Sequence, residues 1–165
     1  LPLEPFADFL REAIYENHDL DLLREKAAKE SGDETESSFA KRLITGQAAE
    51  NFFEKRYSEF AEFRDFSIKN TTKMGCGFDF KLNRNSEPNF LGVEVKGLNL
   101  ASGTVSMTPK EHMVASFLKN RFFLVVVKNF CDKPFCSIYR NPLDSSLIFK
   151  RSEKPVVQIS WNVSV

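Results

Sequence analysis

Gly77-Phe78-Asp79-Phe80-Lys81-Leu82 and Phe90-Leu91-Gly92-Val93-Glu94-Val95-Lys96-Gly97 are the two stretches whose reading decides the fold. In the first, Phe78, Phe80 and Leu82 alternate with Asp79 and Lys81; in the second, Leu91, Val93 and Val95 alternate with Glu94 and Lys96. A period of two is that of a β-strand with one apolar and one polar face. Between them Asn83-Arg84-Asn85-Ser86-Glu87-Pro88 is turn-forming sequence. The spacing therefore predicts a hairpin that brings Asp79 alongside Glu94 and Lys96, on the face opposite the core.

Downstream, Thr108-Pro109-Lys110-Glu111 is a helix start: an N-cap Thr, Pro at the first helical position and Glu three residues after the cap. This helix should run to about Asn120 and bury Val114, Phe117 and Leu118. Phe122 to Val127 is continuous apolar sequence, as in a strand buried on both faces. Phe135–Tyr139 and Val156–Trp161 read as further strands. Upstream, Ala49, Phe52, Phe53, Tyr57 and Phe60 define one face of a helix expected from about Thr45 to Phe63, with Glu50 and Glu54 on its edge. Phe6, Phe9, Leu10, Ala13 and Ile14, then Leu20, Leu23 and Ala27, also recur at helical spacing. The polar run Glu30–Ser38 reads as a linker. The expected organisation is an acidic helical extension over 1–40, with its linker near 30–38, ahead of an α/β domain over 41–165. That domain has a central mixed sheet flanked by helices.

Two carboxylates brought to one point repel unless a cation sits between them. A hard, oxygen-ligated ion such as Mg2+ meets that condition. Such an ion polarises a phosphoryl oxygen and lowers the pKa of a bound water, and a lysine beside it can hold that water or neutralise developing charge. Other chemistries find little support. The chain has 165 residues, three cysteines and two histidines, His18 and His112. Cys131 and Cys136 flank a turn without the further ligands that a zinc site needs, so free thiols in a reducing cytoplasm are expected. His18 reads as a surface cap residue and His112 as solvent-facing. No apolar run reaches the length of a membrane span. The first residues lack a Met and the layout of a signal peptide, and read as a segment of a longer polypeptide or a processed form.

Asp79, fourteen residues, then Glu94-Val95-Lys96 resembles the D…E-x-K signature of the PD-(D/E)XK nuclease superfamily. Five pieces in order resemble more closely the NO VEIN C-terminal-type, restriction endonuclease-like domain. They are Gly46-Gln47-Ala48-Ala49-Glu50, Gly77-Phe78-Asp79, Val93–Gly97, Met107–Glu111 and Phe123–Val127. The resemblance implies a restriction-endonuclease-like core and Mg2+-dependent hydrolysis of phosphodiester bonds, with Mn2+ as substitute. It implies double-stranded DNA as substrate, in the cleavage domain of a restriction or defence protein that works in the cytoplasm, on the nucleoid if bacterial. Asp79, Glu94 and the Val95 carbonyl would hold the metal, Glu50 would supplement them, and Lys96 would be the catalytic lysine. Glu111 is an accessory acid on this reading; its alternative role is the capping box. Cutting both strands implies a homodimer, and the family context implies further domains. A fold retained for binding DNA or a protein, without chemistry, is the competing reading. So is a regulatory or protein-binding role for residues 1–40.

The formal net charge is zero, which at first argues against a nucleic-acid partner. The neutrality is a sum of opposites. Residues 1–66 hold 9 Lys+Arg and 16 Asp+Glu, net −7; residues 67–165 hold 14 and 7, net +7. Lys69, Lys73, Lys81, Arg84, Lys110, Lys119 and Arg121 are therefore candidates for a phosphate track.

Overall fold

The computed structural model describes residues 34–85, 88–153, 161 and 163, with backbone alone for 34–40. The expected helices before residue 34 and most of the expected strand Val156–Trp161 lie outside the described residues. Helix α1 (Glu34–Arg56) leads through a short 3-10 turn into β1 (Ser67–Asn70), β2 (Phe80–Asn83) and β3 (Leu91–Gly97). Helix α2 (Pro109–Leu118) then crosses over to β4 (Phe122–Lys128), and β5 (Phe135–Arg140) closes the sheet. The strand order is β1-β2-β3-β4-β5. β3 and β4 run parallel and every other neighbouring pair is antiparallel. The parallel pair requires a crossover, which α2 supplies. The fold is thus the expected α/β arrangement, a mixed sheet flanked by helices.

Helix α1 covers one face. Ile44, Ala48, Ala49 and Phe53 form its buried stripe, and Phe53 and Phe63 pack against Phe80, Val93, Val95, Phe123 and Val125. Phe53 meets Phe63 edge-on at 5.5 Å, and Phe63 meets Phe123 at 5.0 Å; such geometry suits the ring quadrupoles. Helix α2 covers the other face with Ala115 and Leu118 on Phe78 and Phe122. β4 lies between the two helices and is buried from Phe122 to Val127, as its unbroken apolar run predicts.

Three expectations are corrected. The helix expected from Thr45 to Phe63 starts at Glu34 and ends at Arg56, so its first turns occupy 34–38 of the expected linker. Lys55 and Arg56 at its end suit the helix dipole. Phe63 leaves the helix because it must turn inward to reach Phe53 and Phe123. Phe117 is 79% exposed instead of buried. The stripe of α2 is rotated to Glu111, Val114, Ala115 and Leu118, since Gly77 leaves room for Val114 and Gly92 for Leu118. Finally, Phe78 does not share a face with Phe80 and Leu82: it packs under α2, and they pack under α1.

A carboxylate and lysine cluster as candidate active site

The last correction builds the site. Asp79 donates its N–H to the Val93 carbonyl at 2.9 Å, while Phe80 is Val93's register partner. Two residues against one is a β-bulge, which re-aims a side chain and ends pairing. Beyond it β2 leaves β3. Val95 N–H then has no strand partner on that side, and the Asp79 carboxylate takes its place, with Oδ2 accepting at 2.8 Å. Gly75 (φ 62°) and Gly77 (φ 83°) make the loop that feeds the bulge, a conformation that L side chains resist. Thr71, almost fully buried, fixes it from below. Its N–H donates to the Asp79 carbonyl at 2.7 Å, and its hydroxyl reaches the carbonyls of Asp79 and Phe78 at 3.0 and 3.1 Å. Sequence reading missed Thr71; its signal is a small hydroxyl residue just ahead of a glycine loop that feeds a strand.

Glu94 and Lys96 share a face of β3 as their spacing predicts, but that face is covered. Glu94 is 3% exposed. Lys96 Nζ lies 2.6 Å from Glu94 Oε1 and 2.9 Å from Glu111 Oε2. The same Glu111 oxygen accepts from Thr108 N–H at 2.9 Å, and Glu111 N–H donates to Thr108 Oγ1 at 3.3 Å. One side chain thus closes the capping box and grips the lysine.

The electrostatics are those of crowded acids. Burial, then the charge of Asp79, pushes Glu94 up to about 8 from an ordinary 4.5. Glu50, on α1, is pushed up to about 7 by burial and then by Asp79. Burial also raises Asp79, against the pull of the Val95 N–H and Lys96. Burial acts to lower Lys96, but Glu94 and Glu111 outweigh it and raise it. Glu111 sits below its ordinary range because Lys96 and the Thr108 N–H outweigh burial. Glu50, Asp79, Glu94, Lys96 and Glu111 thus act on one another as a group.

A divalent cation fits part of this donor set. Asp79 and Glu94 are hard oxygen donors that repel one another in a buried place, and the cation would remove that repulsion. Among the described residues, no three Asp, Glu, His or Cys side chains are gathered closely enough to hold an ion by themselves. The fit is therefore to two carboxylates completed by a carbonyl and by water or substrate oxygens, with Glu50 coupled to Asp79 through its charge.

The candidate phosphate contacts divide. Lys69 and Lys81 are register partners. Lys81 Nζ lies 4.6 Å from the Phe90 ring centre and the Arg121 guanidinium 5.9 Å. Lys110 lies over the glycine loop, its Nζ 3.8 Å from where a Gly75 side chain would begin. Lys73 and Lys119 are exposed. Arg84 is turned to other partners, 3.8 Å from Asp65 and 4.4 Å over Phe66. The three cysteines are free thiols, and His112 is exposed on α2. Among the described residues, no helix is long and apolar enough to cross a membrane.

A bulged hairpin, a helix acid and a lysine clamped between two glutamates define a class: a mixed α/β domain with a buried carboxylate–lysine site. Residues 49–140, more than half of the chain, match the family described as Protein NO VEIN, C-terminal, and the chain belongs to that family. The match spans Glu50, Asp79, Glu94, Lys96 and Glu111. No curated protein and no solved structure matches the chain.

Proposed function

We propose that this domain is a Mg2+-dependent nuclease of the PD-(D/E)XK type that hydrolyses phosphodiester bonds of DNA, as the cleavage domain of a restriction or defence protein. The observation that carries the reading is the β-bulge, which aims Asp79 into the gap beside β3 where Glu94 and Lys96 stand. Asp79, Glu94 and the Val95 carbonyl are the groups that would hold the metal, supplemented by Glu50. A bound divalent cation supplies a polarised phosphoryl oxygen and a water of lowered pKa. Lys96 carries its positive charge beside both acids and donates hydrogen bonds to the attacking water or to a phosphate oxygen. Glu111 holds the Lys96 ammonium in place, and α2 excludes bulk water from that side.

The test is cleavage of plasmid DNA with Mg2+ or Mn2+, wild type beside Asp79→Ala, Glu94→Ala and Lys96→Ala. Each substitution should lower the rate at least about a hundredfold. Metal-dependent cutting that survives all three would sink the assignment. A module that binds DNA without cutting it is favoured by one feature, the ion pair that already neutralises Glu94. No heat on Mn2+ titration, with DNA binding indifferent to Glu94→Ala, would decide for that module.

A further inference from the structure

Thr71 stands where β1 ends and the glycine loop begins. It caps the short 3-10 turn Thr72–Met74, and its own carbonyl accepts from Met74 N–H at 2.9 Å. The residue is 2% exposed. Its hydroxyl lies 3.1 Å from the Phe78 carbonyl and 3.0 Å from the Asp79 carbonyl. In a regular strand successive carbonyls point to opposite sides, so one hydroxyl cannot reach both. Here both come within reach because the bulge rotates the peptide planes. Thr71 therefore fits the bulged backbone and does not fit a regular strand.

Two registers compete for this end of β2. Continuing the pairing of Phe80 with Val93 would set Asp79 opposite Glu94 and Phe78 opposite Val95. The Val93 carbonyl faces β2, where it accepts from Asp79 N–H. By alternation Val95 presents its N–H to the same side, so the regular register would give that N–H to the Phe78 carbonyl. In the structure Asp79 Oδ2 holds it instead, at 2.8 Å. The Phe78 carbonyl is thus the competitor of the Asp79 carboxylate, and the Thr71 hydroxyl is what holds that carbonyl.

We propose that Thr71 is a positioning residue of the site. By holding the carbonyls of Phe78 and Asp79 it keeps the end of β2 in the bulged register, and so keeps the Asp79 carboxylate on Val95 N–H instead of opposite Glu94. The consequence for cleavage rests on the nuclease reading; the effect on Asp79 does not.

The test uses the whole chain. Thr71→Val keeps the shape and removes the hydroxyl; Thr71→Ser keeps the hydroxyl. The Val95 amide is followed by NMR and hydrogen exchange in the metal-free protein, and plasmid cleavage is followed with Mg2+. In Thr71→Val the Val95 amide proton should shift and exchange faster. Its kcat should fall at least about tenfold with KM within about twofold, as when a reacting group is misplaced. Thr71→Ser should restore both readouts. A lower Tm with the Val95 amide and cleavage unchanged would make Thr71 a purely structural residue and overturn the proposal, as would a serine variant that restores neither. If Thr71→Val does not fold, Asn70→Ala decides. Asn70 is exposed, and its Oδ1 accepts from the Thr72 N–H and hydroxyl at 3.1 and 2.7 Å, fixing the turn beside Thr71. Its loss should move the Val95 amide in the same direction, and an unmoved amide would overturn the proposal. If wild type itself does not cut DNA, the nuclease reading fails, and the Val95 amide alone then decides whether Thr71 aims Asp79.

Discussion

Glu111 does two jobs with one carboxylate, and substitution can separate them. Glutamine keeps an oxygen for the Thr108 N–H but gives up the charge that grips Lys96. Glu111→Gln should therefore leave the Tm within about 2 °C and lower cleavage about tenfold or more. Thr108→Ala loses the N-cap, about 1 kcal/mol of stability, and should leave cleavage nearly intact; thermal melts and initial rates check the pair. The raised acids set a second prediction. Unfolded, Glu50 and Glu94 titrate near 4.5; folded, near 7 and 8. The stability they contribute is full below about 4.5 and is lost as pH rises through 7 to 8. The metal-free protein should thus melt lower at pH 8 than at pH 5. Metal binding needs these groups ionised, so Mn2+ affinity should rise over the same interval, with proton release measurable by calorimetry in buffers of different ionisation enthalpy. A Mn2+ affinity flat from pH 6 to 8 would contradict it.

At the scale of elements, the reading of alternation and of the capping motif reaches far. Glu94 and Lys96 come together because period two fixes which side chains share a face, and α2 starts at Pro109 behind its Thr108 cap. What alternation cannot report is an interruption of itself. The bulge at Asp79 inserts one residue, so Phe78 changes sides and the carboxylate turns into the gap. Nor does periodicity fix the rotation of a short helix whose apolar residues surround it: Phe117 and Leu118 are equally apolar, and the room at Gly77 and Gly92 decides between them. The start of α1 lies in the polar run Glu34-Thr35-Glu36-Ser37-Ser38, which carries no apolar stripe to mark a helix. Gly97 joins α1 to β3, and Gly97→Ala would drive a methyl group against the Thr45 carbonyl. That overpacking should cost about 1–3 kcal/mol in urea unfolding.

For the whole molecule, the cancelling charges are segregated along the chain. Residues 1–33 alone carry 4 Lys+Arg and 9 Asp+Glu, net −5. An acidic segment joined to a basic domain lowers its attraction for a polyanion. Deleting residues 1–33 should therefore strengthen DNA binding several-fold at low salt, and the gain should shrink as salt screens it. Unchanged affinity on deletion would show that the two halves act independently.

The single parallel pair has a consequence in time. β3 and β4 are register partners 30 residues apart, whereas β1–β2–β3 and β4–β5 join through near neighbours in the chain. Distant pairings close late, since loop entropy must be met first. Asp79, Glu94 and Lys96 belong to the early hairpin; Glu111 arrives with the crossover. During refolding the acids should assemble before their clamp, leaving Lys96 mobile until β4 docks. Pulsed hydrogen exchange should then protect the amides of β2 before those of β4 opposite β3, and the reverse order would refute this sequence of events. On this route the carboxylate–lysine site is completed only as the last long-range contact of the sheet forms, so under the proposed function a partly folded chain would not cut DNA.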